Sequence, residues 1–505
     1  MSSNTGRAHG GAVIPASGPA LTPRDLATGA RRVAATLSGL GIGPQARVAL
    51  CAQNSAGFAW TLLGLLAFGS GIVLVDPGLP GSRVAEIADE ADAGLLVIDD
   101  DRHASSCLAR GLPRERVVTV AALVSGESPE DGSRLCFDRW SAREDGLISW
   151  SSGSTGQPKA IVRSGGSIMA NVARSASRMD YTGSDVLAPL LPYSHQYGMS
   201  LILLAATART SLLIAPAGRL DRALASVAAE GATVVDATPA TYRSVVNFLA
   251  RRPGLAGALG RVRMWCSGGA PLPDDLRRAF AAATGRLLLD GYGSTELGNV
   301  ALAGPREPSA CPPLDGVRAW VSGPDGGELP AGQVGEVWVD SPDLMRGTLE
   351  HGVLRSVPPG PFRTGDIGLV DERGSLRVVG REGAVHRRGY TLYPDYLAHR
   401  AEELGYAVRV VPLEHSTDDC RLVFVVEDPA MRGIESWRRR FGEVLARHEG
   451  PDRVLVVRRL PRLANGKPDN ARIAEIVRSE TAQRRNRPRA QHGAGTSVEP
   501  EGMRA

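Results

Sequence analysis

The sequence predicts an α/β fold with a large N-terminal domain and a small α+β C-terminal domain. Helix-like and strand-like segments alternate from residue 21 to about 101 and again from 146 to 289, which is typical of parallel or mixed sheets flanked by helices. From Gly316 to about Val379, short segments separated by Gly, Pro and Asp indicate an antiparallel β subdomain. We therefore assign residues 1–379 to the large domain, 380–478 to the small domain and 479–505 to a polar, disordered tail.

Each predicted element is identified by its hydrophobic period. The predicted helices are Pro23–Leu40, Gly57–Phe68, Arg83–Ala91, Ser167–Arg178, Gly198–Ala206, Asp221–Glu230, Pro239–Ala250 and Pro273–Ala283. The predicted strands are Arg47–Cys51, Ile72–Val75, Leu95–Ile98, Gly146–Trp150, Val186–Pro189, Ser211–Ala215, Thr233–Asp236, Arg263–Cys266 and Arg286–Leu289. The stretch Phe58–Val75 is apolar enough to suggest a membrane span, but glycines interrupt it. We expect a buried helix that leads into a buried strand.

Composition narrows the class of protein. The chain has 505 residues, of which 43% are hydrophobic and 22% charged, and a formal net charge of +4; these values are typical of a globular protein. The sequence shows no basic stripe for nucleic acid. Its six cysteines form no CxxC pair, which argues against a zinc site or a disulfide framework. Without a signal-peptide pattern, the expected compartment is the cytoplasm.

The most informative stretch is Ser151–Lys159, which reads Ser-Ser-Gly-Ser-Thr-Gly-Gln-Pro-Lys. It follows a predicted strand, and two glycines allow its backbone N–H groups to turn inward beside hydroxyl donors and a lysine. Such a loop is suited to a polyphosphate. The alternative is a flexible Ser/Gly linker, but a linker seldom follows an apolar strand directly and ends in Pro-Lys. The stretch is not a Walker A loop.

Two more Gly/Ser-rich segments follow strands, at Ser267–Ala270 and Gly291–Glu296. Ligands of open α/β sheets collect at the carboxyl ends of strands, and Glu296 could bind Mg²⁺ together with substrate phosphates. Alternatively, Glu296 stabilises a helix N-terminus. Asp366 could accept both hydroxyls of a ribose or simply form a turn, and Lys467 follows an Asn-Gly turn.

The segments 151–159, 291–296, 364–366, 380–381 and 465–467 together resemble the core motifs of the acyl-adenylate-forming superfamily. That superfamily includes acyl-CoA synthetases, aryl-acid ligases, luciferases and adenylation domains of peptide synthetases. The motifs occur in family order, and the resemblance covers about residues 20–478. It implies an AMP-forming acid–thiol ligase that uses ATP and Mg²⁺, with a mobile C-terminal domain.

The resemblance also implies roles for single residues. The β- and γ-phosphates would be bound by Ser151, Ser152, Gly153, Ser154, Thr155, Gly156 and Lys159. The rest of the nucleotide would be bound by Gly268, Gly269, Ala270, Gly291, Tyr292, Gly293 and Ser294, with Asp366 and Arg381 on the ribose. Thr295 would contact the α-phosphate, Glu296 would bind Mg²⁺, and Lys467 would reach the substrate carboxylate and the α-phosphate.

The sequence departs from the family pattern after Arg381. The run Glu382–Gly389 is one residue shorter than expected, and His386 stands near the position where the family has a lysine. This difference indicates a changed hinge at Glu382 or Gly383 or an unusual thiol acceptor, and the further alternative is loss of the second half-reaction. The alternatives within the resemblance are an enzyme that stops at acyl-AMP or makes an amide, and a nucleotide-binding homologue that has lost catalysis.

The acyl pocket is expected around Leu191–Gly198, with Tyr193, Ser194, His195, Gly268 and Gly293 among its residues. Ser194 stands where α-amino-acid activators have an aspartate, and His195 matches a histidine common in acyl- and aryl-CoA ligases. Asp236 ends a strand that should face this pocket, where a carboxylate is costly unless it is paired. It caps the following helix, pairs with Arg243, or binds an amino group of a β-amino or aminoaryl acid.

The resemblance leaves the thiol acceptor open. No carrier domain follows Lys467, so we expect the thiol to come from a separate molecule, either CoA or the pantetheine arm of a carrier protein. Neither a nucleic-acid partner nor a membrane span is expected.

Overall fold

The computed structural model describes residues 13–15, 23–99, 113–125, 135–151, 159–216, 218–252, 254–323, 325–381, 385–388, 390–392, 394–416, 419–461 and 469–485. The chain divides into two compact units, which we name the large and the small unit. The large unit comprises Met1–Pro77, Gly81–Ser151 and Pro158–Glu382, and the small unit comprises Gly78–Pro80, Ser152–Gln157 and Gly383–Ala505. The division at residue 382 lies close to the boundary at residue 380 that we place from the sequence.

The large unit is built of alternating strands and helices. Its strands are β1 (Val13–Pro15), β2 (Arg47–Cys51), β3 (Gly71–Leu74), β4 (Ala93–Ile98), β5 (Val117–Thr119), β6 (Leu147–Ser151), β7 (Lys159–Arg163), β8 (Val186–Pro189), β9 (Ser211–Ile214), β10 (Val234–Ala237), β11 (Met264–Ser267), β12 (Leu288–Ser294), β13 (Gly298–Leu302), β14 (Arg318–Ser322), β15 (Gly335–Asp340), β16 (Gly347–Glu350), β17 (Val353–Ser356), β18 (Phe362–Val370) and β19 (Leu376–Arg381). Its helices are α1 (Pro23–Gly39), α2 (Ala56–Phe68), α3 (Gly81–Glu90), α4 (Val120–Ser125), α5 (Asp138–Ser141), α6 (Gly165–Arg178), α7 (Gln196–Ala208), α8 (Leu220–Ala229), α9 (Pro239–Arg251), α10 (Gly254–Ala258) and α11 (Asp274–Thr284), with a 3₁₀ turn at Arg114–Arg116.

The described strands of the large unit form three sheets. One has the order β17-β16-β7-β6-β3-β2-β4-β5, and another has the order β1-β9-β8-β10-β11-β12-β13. In the first sheet the neighbouring strands from β6 to β5 are parallel, and in the second those from β9 to β12 are parallel. This confirms the predicted parallel arrangement. The third sheet, β14-β15-β18-β19, is antiparallel, as the Gly- and Pro-interrupted pattern predicts.

The apolar stretch Phe58–Val75 forms α2 and β3, both buried, as expected. Ser55 caps α2 by accepting a hydrogen bond from the Phe58 N–H at 3.0 Å. Gly69 ends the helix in the left-handed region, at a φ of 94°, which a glycine adopts without strain. Across the parts of the chain that the structure describes, no helix could span a membrane.

Two strand segments were not predicted from the sequence. Strand β7 lies between the Ser151–Lys159 stretch and helix α6, and it pairs antiparallel with β6. Strand β12 extends to Ser294, through the glycines that we expect in a loop, and pairs antiparallel with β13. The glycines permit this because a Cβ at Gly293 would lie 2.5 Å from the Gly298 carbonyl oxygen.

The small unit has an α+β fold, as predicted. Its strands are β20 (Val385–Arg387), β21 (Tyr390–Leu392), β22 (Val408–Ser416), β23 (Asp419–Glu427) and β24 (Arg453–Val457), and its helices are α12 (Pro394–Glu402), α13 (Ile434–Val444) and α14 (Asn470–Arg485). Its core surrounds Trp437, Phe424 and Phe441, whose rings pack at centroid distances of 5.0 to 5.6 Å. The predicted start of the disordered tail at residue 479 is wrong for residues 479–485, which continue α14. Residues 486–505 lie outside the described residues.

Candidate active site

Several predicted site segments follow strands that end at the same edge of one sheet. Strands β8, β10, β11 and β12 are parallel neighbours, with Asp236 opposite Pro189 and Cys266, and Ser267 opposite Asp290. Because the carboxyl ends of parallel strands share one edge, the segments that follow them start side by side. The fold therefore brings the predicted acyl-pocket segment together with Asp236, Ser267 and the Gly291–Glu296 segment.

Asp236 is the most unusual group at this edge. It is only 2% exposed, and its Oδ1 accepts a hydrogen bond from the Tyr197 hydroxyl at 2.9 Å. Its Oδ2 is buried and has no hydrogen-bond partner among the described residues. Burial raises the pKa of Asp236 to about 7, and the Tyr197 hydrogen bond opposes this rise. A carboxylate in this state is poised between its charged and neutral forms at neutral pH.

Two structural explanations for Asp236 can be removed. Helix α9 is capped by Thr238, whose hydroxyl accepts from the Thr241 N–H at 3.4 Å, so Asp236 is not the cap. The pairing with Arg243 is not formed either, because among the described residues the Asp236 carboxylate hydrogen-bonds only to the Tyr197 hydroxyl. The third possibility, an amino group of the substrate, remains consistent with this geometry.

Tyr197 is a site residue that the sequence analysis did not single out. Its ring lies against the end of β11, where a Cβ at Gly268 would approach Tyr197 Cε1 to 3.0 Å. Gly268 therefore leaves room for the ring that reaches Asp236. Burial, and then the Asp236 charge, raise the pKa of Tyr197 well above its usual value, so the phenol stays protonated and donates. The one sequence feature that could have indicated Tyr197 is its position within the predicted acyl-pocket segment Leu191–Gly198.

The Leu191–Gly198 segment connects β8 to α7 through a tightly held turn. The Asn54 side chain accepts from the Tyr193 N–H and donates to the Leu191 carbonyl, both at 2.7 Å. Tyr193 is fully buried in the apolar core, with its ring 5.8 Å from that of Phe58. The hydroxyl of Ser194 is buried and has no partner within the described part of the chain. Ser194, like Asp236, thus holds an unused polar atom.

His195 precedes the first residue of α7. Its Nε2 lies 3.9 Å from Asp76 Oδ2, and its side chain is 45% exposed. Desolvation by the surrounding protein lowers the pKa of His195, and Asp76 opposes this effect. The imidazole is therefore mostly neutral at neutral pH and able to accept or donate a hydrogen bond.

A second pair of aspartate and tyrosine lies on the predicted nucleotide side. The Tyr292 hydroxyl donates to Asp366 Oδ2 at 2.7 Å. The Asp366 N–H donates to the Thr364 hydroxyl at 3.0 Å, and that hydroxyl donates to the Val337 carbonyl at 2.8 Å. Arg381 is directly opposite Asp366 in the β18–β19 pair. The structure therefore brings together Tyr292, Asp366 and the backbone of Arg381.

Glu296 lies in the turn between β12 and β13. Its carbonyl accepts from the Met345 N–H at 2.7 Å, and its side chain is partly exposed. The described residues contain no cluster of three or more His, Cys, Asp or Glu side chains that could hold a metal ion. A single carboxylate such as that of Glu296 would suit Mg²⁺ only where substrate phosphates and water supply the other ligands.

The two ends of the predicted phosphate loop lie side by side. Ser151 is directly opposite Lys159 in the antiparallel pair of β6 and β7. Lys159 is exposed, whereas the hydroxyl of Ser151 is buried and unpartnered among the described residues. Residues 152–156 and Lys467, which are also predicted site residues, lie outside the described residues.

The remaining predicted nucleotide residues are at the ends of β11 and β12. Gly269 has a φ of 81°, in the left-handed region that favours glycine, and is followed by the partly buried Ala270. The hydroxyl of Ser294 is buried and makes no hydrogen bond to a described residue. Gly291 packs against Leu302, which a Cβ would approach to 2.9 Å.

Comparisons with known proteins identify the family of the chain. Residues 5–349 match the AMP-binding enzyme family, and the chain belongs to that family. It is 27% identical over 411 residues to 4-coumarate–CoA ligase 3 of Oryza sativa subsp. japonica, which covers 75% of this chain and 73% of the relative. It is 28% identical over 398 residues to naringenin synthase of Pestalotiopsis fici, covering 74% of this chain but 15% of that longer protein.

Among solved structures, the chain is similar to the amide bond synthetase McbA of Marinactinospora thermotolerans. The TM-score is 0.77 and the identity 26%, over 92% of this chain and 97% of that one. These findings confirm the resemblance to the acyl-adenylate-forming superfamily and the expectation of an AMP-forming ligase.

Proposed function

We propose that the protein uses ATP to activate a carboxylic acid and then transfers the acyl group to a thiol of a separate molecule. A carboxylate oxygen attacks the α-phosphorus of ATP, the bond between the α-phosphorus and the bridging oxygen breaks, and pyrophosphate leaves. The thiol sulfur then attacks the acyl carbon, and AMP leaves. Family membership and the Tyr292–Asp366 pair beside the Thr295–Glu296 turn support this proposal.

The observation that carries the proposal is the use of lysine. Lysine and arginine together number 58, and only two of them, Lys159 and Lys467, are lysines. Both fall in motifs proposed to contact phosphate groups. A lysine is a compact point charge, whereas the arginine fork favours bidentate partners. A chain that otherwise uses arginine for positive charge therefore has lysine only where a single phosphate or carboxylate oxygen would be contacted.

The proposed chemistry needs charge neutralisation and positioning more than a protein nucleophile. An anion attacks a polyanion, so the barrier is largely electrostatic and positional. Lys159 and the 151–156 loop would hold the β- and γ-phosphates, Asp366 would accept the ribose hydroxyls, and Lys467 would lie between the acid and the α-phosphate. Mg²⁺, held by Glu296 and the phosphates, would offset negative charge there.

The experiment that tests adenylation is pyrophosphate release that depends on both ATP and an acid. Lys467→Ala is expected to lower the rate at least about a hundredfold, since one electrostatic contact to developing charge contributes about 3 kcal/mol. Lys467→Arg keeps the charge and is the matched control for it. No release with any acid of a broad panel would favour the alternative of a homologue that has lost catalysis.

The acid itself is proposed to carry an amino group away from the α position, as in β-amino or aminoaryl acids. Asp236 Oδ2 is buried and unpartnered at the end of β10, and Ser194 stands where an α-amino-acid activator would have its carboxylate. An ammonium beside Asp236 would favour the charged carboxylate and repay the cost of burying it. Asp236→Ala should remove the preference for the amino-bearing member of a matched pair of acids.

A second candidate function is amide formation, in which an amine replaces the thiol. It is favoured by the structural similarity to an amide bond synthetase. Supplying the preformed acyl-adenylate with CoA, with a pantetheine-bearing carrier protein, or with a simple amine separates the acceptors. Product only with the amine would replace the thiol proposal, whereas product with either thiol would support it and show which thiol is used.

A further inference from the structure

Arg163 is a fully buried cation that the proposed reaction does not use. It ends β7, is 1% exposed, and its Nε and Nη2 have no hydrogen-bond partner among the described residues. Burial lowers the pKa of Arg163 to about 10, although the nearby Asp343 and Glu296 oppose this effect. The side chain therefore stays charged at neutral pH. A buried, incompletely paired charge is a poor source of stability, which points to another role.

Gln196 connects this arginine to the Thr295–Glu296 turn. With its amide oriented to suit both neighbours, the Gln196 oxygen accepts from Arg163 Nη1 at 2.5 Å. Its nitrogen donates to the Thr295 carbonyl oxygen at 3.0 Å. Two consecutive hydrogen bonds thus link β7, α7 and the turn after β12. Hydrogen bonds that involve a charged donor are stronger than neutral ones.

Gly298, which follows this turn, allows the Arg163 guanidinium to approach the backbone closely. Its φ is 74°, and a Cβ there would lie 2.7 Å from Arg163 Nη1 and 2.8 Å from Asn171 Oδ1. Any larger residue would therefore collide with the buried side chains. The close approach of Arg163 to the turn depends on this glycine.

The two carboxylates near Arg163 differ in their partners. Asp343 is 1% exposed, forms an ion pair with Arg174 and accepts from Asn171 Nδ2 at 2.7 Å. Glu296 forms no side-chain ion pair with any described residue, but it lies near enough to raise the pKa of Arg163. The Arg163 charge thus interacts with the Glu296 carboxylate, which forms no ion pair within the described part of the chain.

We propose that Arg163 and Gln196 are positioning residues that hold the Thr295–Glu296 turn for the nucleotide phosphates and their Mg²⁺. The inference rests on the proposed function for the role of Thr295 and Glu296. Arg163 touches neither nucleotide nor acid and acts through Gln196 and the Thr295 carbonyl. Weakening either hydrogen bond lets the turn move, and Glu296 then meets the metal less often in the productive geometry.

The test is Mn²⁺ binding to the full chain in the presence of a non-hydrolysable ATP analogue, followed by paramagnetic resonance. Gln196→Met keeps the Arg163 charge but removes both hydrogen bonds. Arg163→Lys keeps a positive charge, but the shorter side chain cannot reach the Gln196 oxygen. Both variants should weaken Mn²⁺ binding at least about fivefold, since Arg163→Lys removes one of the two hydrogen bonds and Gln196→Met removes both. In acid activation they should lower kcat while leaving KM for the acid unchanged.

Asn171→Ala is the matched control, because it loosens the same buried cluster at Asp343 and Asn299 without touching Thr295. It should lower the melting temperature and leave Mn²⁺ affinity unchanged. Unchanged Mn²⁺ affinity in Gln196→Met, or equal weakening in Asn171→Ala, would overturn the positioning role. Failure of the unsubstituted protein to bind Mn²⁺ with the analogue would instead overturn the proposed function of Glu296, and the inference with it.

Discussion

Two aspartates of the large unit make the same hydrogen bond in different surroundings. Asp236 accepts from the Tyr197 hydroxyl at 2.9 Å, and Asp366 accepts from the Tyr292 hydroxyl at 2.7 Å. Asp366 lies in a β-strand whose neighbours Thr364 and Arg381 are polar, and it is 9% exposed. Asp236 is 2% exposed and leaves one buried oxygen without a partner among the described residues.

The two pairs share a tyrosine donor, but Asp236 is the more deeply buried and has one carboxylate oxygen without a partner among the described residues. Desolvation raises the pKa of Asp236 to about 7, so its charged form is costly until a cation or a strong donor arrives. We propose an amino group of the acid for this site and the neutral hydroxyls of a ribose for Asp366. The following predictions test that difference, from the largest expected effect to the smallest.

The largest effect is expected in the pH dependence of stability of Asp236→Asn. A carboxyl whose folded pKa is raised to about 7 from 3.8 binds a proton in the folded state that the unfolded state has lost. The unsubstituted protein therefore loses stability as the pH rises from about 4 to about 7, and the loss is complete above pH 7. Asparagine removes this loss, so the variant should gain up to about 4 kcal/mol over the unsubstituted protein at pH 8.

Melting temperatures of the two proteins at pH 5 to 8 measure this gain. Asp221→Asn is the control, because Asp221 lies in an exposed pair with Arg219 and should show no comparable change. A difference between Asp236→Asn and the unsubstituted protein that stays constant from pH 5 to pH 8 would contradict the raised pKa.

The next largest effect is expected on the use of amino-bearing acids. Asp236→Ala should lower kcat/KM for such an acid about a hundredfold, because truncating one partner of a buried charge pair costs 2–5 kcal/mol or more. The same variant should use the matched acid without the amino group as well as the unsubstituted protein does. Equal losses for both acids would mean that Asp236 supports the pocket without reading the amine.

Asp366→Ala should weaken ATP binding and leave the preference among acids unchanged. Loss of a charged acceptor of two hydrogen bonds is expected to raise KM for ATP about thirtyfold, since hydrogen bonds to charged groups contribute 1.5–3 kcal/mol. The order of preference among acids should be unchanged. A changed acid preference, with KM for ATP unaffected, would place Asp366 in the acyl pocket.

The smallest effects are expected from removing the two hydroxyls. The Tyr197 hydrogen bond lowers the pKa of Asp236, so Tyr197→Phe should raise that pKa. The pH midpoint of kcat/KM for the amino-bearing acid should then shift upward. Tyr292→Phe should leave this midpoint unchanged and weaken ATP binding about fivefold, as expected for the loss of one hydrogen bond. Equal shifts of the midpoint in both variants would remove the distinction between the pairs.

The fold was predictable because its signals are local. Short apolar runs alternating with amphipathic segments gave the parallel strands and their helices, and the Gly- and Pro-interrupted region gave the antiparallel sheet. Strand β7 was missed because it directly follows a Gly/Ser-rich loop and pairs back onto β6. The extension of β12 was missed because its glycines favour a loop locally, whereas pairing with β13 determines their conformation.

The sequence predicts candidate site residues only where they lie in contiguous motifs or at strand ends. The positions of Thr295, Glu296 and Asp366 follow from such motifs, and Asp236 was singled out by its charge at a strand end. Tyr197 and Arg163 were not singled out, because the contacts from which we propose their roles join distant segments. A tyrosine at the start of an apolar helix and an arginine at the end of an apolar strand are typical packing or surface residues until tertiary structure places them beside Asp236 and Glu296.

The most direct test is acid-dependent exchange of pyrophosphate into ATP, measured with matched pairs of acids that differ only by a β-amino or ring amino group. The unsubstituted protein should catalyse exchange with the amino-bearing member of a pair, and Asp236→Ala should lose that preference. Exchange only with acids that lack the amino group would contradict the role of Asp236. The absence of exchange with any fatty, aryl or amino acid would contradict adenylation itself.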